Sequence, residues 1–106
     1  MKTTYNKLVR DRIPEIIEAS GKTCVTKVLS DEEYLKMIDT KLDEELAEYY
    51  NAPNIVDLAD LLEVIYSAAI AHGYSIEELE RIRVNKVEKR GTFNKKIFLI
   101  KTIEND

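Results

Sequence analysis

Six carboxylates crowd into two short stretches of this 106-residue chain. DEELAE, residues 43–48, holds Asp43, Glu44, Glu45 and Glu48, and DLAD, residues 57–60, holds Asp57 and Asp60. On a helix, like charges three or four residues apart repel by roughly 0.2–0.5 kcal/mol a pair. Such a cluster is either a solvated acidic face or a cation site. The spacings bear on the choice, because ExxE (Glu45, Glu48) and DxxD (Asp57, Asp60) each put two carboxylates on one side of a helix. Carboxylates brought face to face need a cation or protons to neutralise them. Oxygen-only ligands suit Mg²⁺, Mn²⁺ or Ca²⁺ rather than zinc. Cys24 and His72 are the sole residues of their types, which excludes an intrachain disulfide and a Cys/His zinc site within one chain. Ser–His or Cys–His catalysis would have to run through His72. That residue lies too far along its helix for the Glu-x-x-His ligation of a di-iron bundle.

A second set of candidates is basic. Arg83, Lys86 and Arg90 recur at i, i+3 and i+7, on the same face as Ile76, Leu79 and Val87. Long stems covering apolar surface would account for them, and so would an anionic ligand.

The elements that must carry these residues are mostly helical. Residues 11–19 read as a short helix, with Pro14 in its first turn and Gly21 just past its end. Ser30 with Glu33 is a capping box, opening a helix that runs to about Asn51. Residues 52–54, APN, break it, and Asn54 caps a third helix that Gly73 stops just after His72. Ser75 with Glu78 is a second capping box, for a helix ending near Arg90. Residues 22–29 and 96–103 are β-branched and predict two short peripheral strands. The expectation is a mainly α fold: a bundle of three long helices with a short N-terminal helix and two short strands. Two strands cannot make a core, so the long helices must.

On the second helix Leu35, Ile38, Leu42, Leu46 and Tyr49 form the apolar stripe. Glu45 falls within that stripe toward one edge, Glu48 lies beside it, and Asp43 and Glu44 point elsewhere. The third helix is apolar nearly all round, which predicts burial by its neighbours or by a partner chain. A tight link makes the two an antiparallel pair, so Glu45 and Glu48 face Asp57 and Asp60 near the connection. With 44% hydrophobic and 34% charged residues, residues 1–106 are expected to form a single domain. A net charge of −4 argues against stable nucleic-acid binding. No apolar run has signal-peptide or membrane length, so the expected location is cytoplasmic, away from membranes.

The stretch YNKLVRDRIPEIIEASGK, followed by ExxE, DLADLLEVI and KRGTF, resembles the MazG-like branch of the all-α nucleotide pyrophosphohydrolases. These house-cleaning enzymes are related to phosphoribosyl-ATP pyrophosphohydrolase. Their pattern is EExxE, a spacer, then ExxD. Here it reads Glu44-Glu45-Leu46-Ala47-Glu48, then Asp57-Leu58-Ala59-Asp60, and the spacer is short. The family usually has Glu where this chain has Asp57, which is one methylene shorter. The resemblance implies a MazG-like helical bundle in which Glu45, Glu48, Asp57 and Asp60 hold Mg²⁺, with Mn²⁺ as a substitute. It implies that Arg83, Lys86 and Arg90 meet a triphosphate and that Asn6, Lys7, Arg10 and Asp11 form part of the site. Within that segment Lys7 and Arg10 suit phosphate, and Asn6 a polar group of the nucleotide.

The expected reaction is Mg²⁺-dependent hydrolysis of non-standard nucleoside triphosphates to monophosphate and pyrophosphate, with Glu45 or Glu44 as general base. A homodimer or homotetramer that buries the third helix is the expected assembly. Two alternatives stand beside this reading. One is a helical oligomer with a weak or inactive site, acting as a binding module. The other keeps the chemistry with phosphoribosyl-ATP as substrate.

Overall fold

The computed structural model describes residues 1–105, in four helices and no strand among them. They are α1 (Ile13–Ala19), α2 (Asp31–Asn51), α3 (Ile55–Ala71) and α4 (Ile76–Arg90). The chain divides into two compact units, Met1–Ile76 and the residues from Glu77 onward. Among the described residues, no helix is long and apolar enough to cross a membrane.

The first unit is organised by its helix ends. Pro14 sits in the first turn of α1, where a missing N–H costs nothing. The N–H groups of Gly21 and Lys22 donate to the carbonyls of Glu18 and Ile17, closing α1. At α2 the capping box is complete. The Ser30 hydroxyl accepts from the Glu33 N–H, and the Ser30 N–H donates to the Glu33 carboxylate. Asn54 caps α3 by accepting from the Asp57 N–H at 2.9 Å. Past the other end of α3, Gly73 adopts a φ of 90°, a left-handed conformation that glycine alone takes without penalty. That turn lets the Gly73 and Tyr74 N–H groups reach the carbonyls of Ile70 and Ala69.

α2 and α3, 21 and 17 residues long, pack against each other. Residues 52–54 join them, too short a link for anything but an antiparallel pair. Ile38 of α2 and Val64 of α3 are the buried hydrophobic side chains among the described residues, 2% and 8% exposed. Leu35, Leu42 and Tyr49 are half-buried along the same stripe, while Leu46 sits at its margin. On α3, by contrast, Leu58, Leu62 and Ile65 remain exposed.

Neither expected strand forms. Residues 22–29 carry no ladder, and Val25 and Val28 are fully exposed. They are tied instead by Cys24, half-buried, whose thiol lies 3.8 Å from the Pro14 carbonyl oxygen, and by Lys27, whose Nζ lies 3.5 Å from Glu33 Oε2. Residues 96–103 also lack a ladder, with Ile97, Phe98, Leu99, Ile100 and Ile103 exposed. Lys96 opens that segment at a φ of 60°, which breaks the extended run. β-branched composition favours a pleated surface only where a neighbouring strand supplies hydrogen bonds and side-chain contacts, and neither segment has one.

In the second unit, α4 is followed by an irregular tail. Leu79 and Val87 are its half-buried apolar positions.

Candidate functional site

Glu45 is the buried charged residue among the described positions, 7% exposed. Its place in the apolar stripe of α2 puts it there: the periodicity that turns Leu42 and Tyr49 inward carries Glu45 with them. Lys41, one turn earlier, holds one oxygen, its Nζ lying 3.4 Å from Glu45 Oε1. The other oxygen, Oε2, is buried with no hydrogen-bond partner. Burial raises the Glu45 pKa above the ordinary carboxylate value, and the charges of Glu48 and Asp60 raise it further against the lowering effect of Lys41.

Glu44, Glu45 and Glu48 bring carboxylate oxygens within 4.8 Å of one another, a grouping able to hold a metal ion. Glu44 is half-buried rather than turned away as its register suggests. Two cations draw it in. Lys41 Nζ donates to Glu44 Oε1 at 3.2 Å, and Lys7 Nζ lies 3.8 Å from the same oxygen.

The two aspartates of α3 are placed differently. Asp60 is close enough for its charge to be felt at Glu45, as an antiparallel pair requires. Its Oδ1 accepts from Arg10 Nη2 at 2.8 Å. Asp57 stays at the helix start, where its Oδ2 accepts from Asn54 Nδ2 at 2.7 Å. Its carboxylate is thus committed to the cap, and the grouped oxygens come from Glu44 in its stead. A shorter side chain at the first turn, next to an Asn cap, explains why.

The N-terminal segment reaches this cluster without regular structure. Asn6 adopts a φ of 47°, a left-handed conformation that Asn tolerates better than most residues. Lys7 follows, with its ammonium 5.7 Å from the Tyr5 ring centroid and directed toward Glu44. Lys7 and Arg10, expected at phosphate, are therefore found on carboxylates. Asp11 is exposed.

The basic residues of α4 belong to the second unit. Arg83 pairs with Glu80 one turn earlier, Nη2 to Oε2 at 2.7 Å. Lys86 and Arg90 are exposed. Arg90 lines a shallow cavity with Val87, Phe93, Lys95, Lys96 and Ile97, which gathers three cations around an apolar floor.

Lys41 is the site residue that sequence reasoning missed. Its signal was present: a Lys three and four residues before two glutamates is the spacing of a helical ion pair.

No known protein family matches the chain, and no solved structure matches it. A stretch of 42 residues is 64% identical to part of an uncharacterized protein of Mycolicibacterium smegmatis. The match covers 40% of this chain and 43% of that relative, so this chain spans less than half of the relative's length.

Proposed function

We propose that this chain is a Mg²⁺-dependent nucleoside triphosphate pyrophosphohydrolase of the MazG-like type, cleaving the α–β phosphoanhydride bond. The observation that carries the reading is Glu45 Oε2, a buried carboxylate oxygen without a partner beside two further carboxylates. A buried carboxylate with one oxygen left uncompensated is costly, and a hard divalent cation removes that cost. The donor set, all oxygen and all anionic, fits Mg²⁺ or Mn²⁺. Glu44, Glu45 and Glu48 would hold the ion from α2, with Asp60 from α3. Asp57, held by Asn54, has the weakest claim.

When bound, Mg²⁺ supplies neutralisation of phosphate charge and a more acidic water. The chain's own residues do the rest. Glu44 or Glu45 takes the proton of the attacking water. The water oxygen bonds to the α-phosphorus as the bridging bond breaks, and the electron pair leaves with pyrophosphate. Lys7 and Arg10 bind phosphate oxygens, Asn6 a polar group of the nucleotide. The resemblance of YNKLVRDRIPEII and DLADLLEVI to blocks of MazG-like enzymes supports this assignment.

The same reading includes a homodimer or homotetramer. Two buried hydrophobic side chains among the described residues are a small core for helices of this length, and the exposed Leu58, Leu62 and Ile65 of α3 need cover.

The experiment is an incubation of the purified protein with Mg²⁺ and a panel of standard and modified nucleoside triphosphates, reading pyrophosphate. Release with at least one of them, lost in Glu48→Gln, supports the enzyme. A folded protein that releases none sinks it. The rival reading, a helical binding module, predicts that second result.

A further inference from the structure

Arg10 reaches fifty residues along the chain to Asp60, from a segment with no helix or strand to hold it there. Three residues earlier, Lys7 reaches Glu44. One irregular stretch thus lays two cations on two carboxylates that belong to different helices. Both side chains are largely open to water, Arg10 58% exposed and Lys7 44%. Exposed ion pairs of this kind are weak and readily exchanged. They also leave the buried Oε2 of Glu45 without a partner, so the segment offsets the rim of the cluster and not its centre. In the metal reading above, an ion held by the Glu44, Glu45 and Glu48 oxygens would also draw on Asp60, whose charge reaches Glu45 from α3.

We propose that Arg10 is a displaceable counter-cation: it and the divalent ion compete for Asp60, and the ion's arrival hands the guanidinium to the anionic ligand. The proposal rests on the metal reading above. The guanidinium fork suits this exchange, since it pairs with a carboxylate and with a phosphate through the same two-pronged geometry. Arg10 is a ligand-binding residue in this scheme. It keeps the cluster balanced before the ion binds, and afterwards it couples ion binding to phosphate binding.

The test is a calorimetric Mn²⁺ titration of the full chain at low salt, for the natural protein, Arg10→Met, Arg10→Lys and Glu48→Gln. Removing a competing exposed cation is expected to tighten Mn²⁺ binding by about two- to fivefold in Arg10→Met. Arg10→Lys keeps the charge and is expected to keep the natural affinity, which also guards against a misfolded Met variant. In a second titration, with inorganic pyrophosphate in Mg²⁺, Arg10→Met is expected to bind more weakly. Mn²⁺ binding that depends on Glu48 but is unchanged or weaker in Arg10→Met overturns this proposal and leaves the metal reading standing. No Mn²⁺ binding by the natural protein at millimolar concentration overturns both. Unchanged pyrophosphate affinity in Arg10→Met overturns the handover.

Discussion

Lys41 Nζ lies 3.4 Å from Glu45 Oε1, while Oε2 of the same carboxylate is buried without a hydrogen bond. The pair is therefore half-made: one oxygen is compensated and the other is not. Glu48 and Asp60 add repulsion from two helices. A buried charge so placed opposes folding unless a proton or a cation offsets it.

With EDTA present, Glu45→Gln is expected to stabilise the protein at pH 7–8, because it removes a buried charge that repels Glu48 and Asp60 while Lys41 keeps its pairing with Glu44. The sign with pH follows from the raised folded-state pKa. Between the ordinary value of 4.5 and the raised one, the folded chain binds the extra proton, so stability falls as pH rises through that window. Urea melts across pH 4.5–8 in EDTA should show this decline in the natural protein and a flatter profile in Glu45→Gln. A variant less stable than the natural protein at pH 8 would contradict the account.

Mg²⁺ is expected to reverse that penalty. A ligand that binds only the folded state at a hundred times its Kd adds about 2.7 kcal/mol of stability, roughly 10–20 °C in midpoint for a chain of this size. A thermal melt with Mg²⁺ against one with EDTA checks it. Glu48→Gln and Asp60→Asn should abolish the difference, whereas Asp57→Asn should reduce it least, because the Asp57 carboxylate is engaged with Asn54.

The N-terminus of α2 sets where the cluster starts along its helix, and Ser30 fixes that terminus. Ser30→Ala is expected to cost about 1 kcal/mol, the usual loss for a serine cap. Glu33 in the same box has its pKa lowered, first by the Ser30 backbone N–H, then by the Ser30 hydroxyl and by Lys27. A lowered folded-state pKa stabilises above the ordinary value of 4.5, and that contribution is lost as pH falls through the lowered value. Chemical melts at pH 7 and below pH 4 should therefore differ less between Ser30→Ala and the natural chain at the acid end.

Helix boundaries were legible because caps are local. Ser30, Asn54 and Gly73 each act within a turn of their own positions, and the chain alone names them. Glu45 was legible for the same reason, since its burial follows from the period of the stripe. The strands were not, because a strand depends on a partner that residues 22–29 and 96–103 lack. The basic half of the cluster was hidden as well. Arg10 meets Asp60 through a fold-level contact fifty residues apart, and no spacing rule spans an irregular segment. Asp57 misled for a subtler reason: ExxD-like spacing places it on the right face, but its own N-cap offers a nearer hydrogen bond than any cluster across the helix pair.

The exposed face of α3 gives the last prediction. Leu58, Leu62 and Ile65 recur at i, i+4 and i+7, which makes one stripe, and they are 42%, 45% and 37% exposed. A stripe of that kind on the most apolar helix of the chain is what a second copy would cover. Light scattering should find the natural protein as a dimer or tetramer, dissociating on dilution. Leu62→Glu places a charge at the middle of the stripe, where burial without a partner costs several kcal/mol per ion. The variant should run as a monomer while keeping its helical circular dichroism. If Leu62→Glu assembles like the natural protein, the copies meet through another face. If it loses its helices altogether, α3 depends on that contact to fold, and the milder Leu62→Ala should then shift assembly to higher concentration.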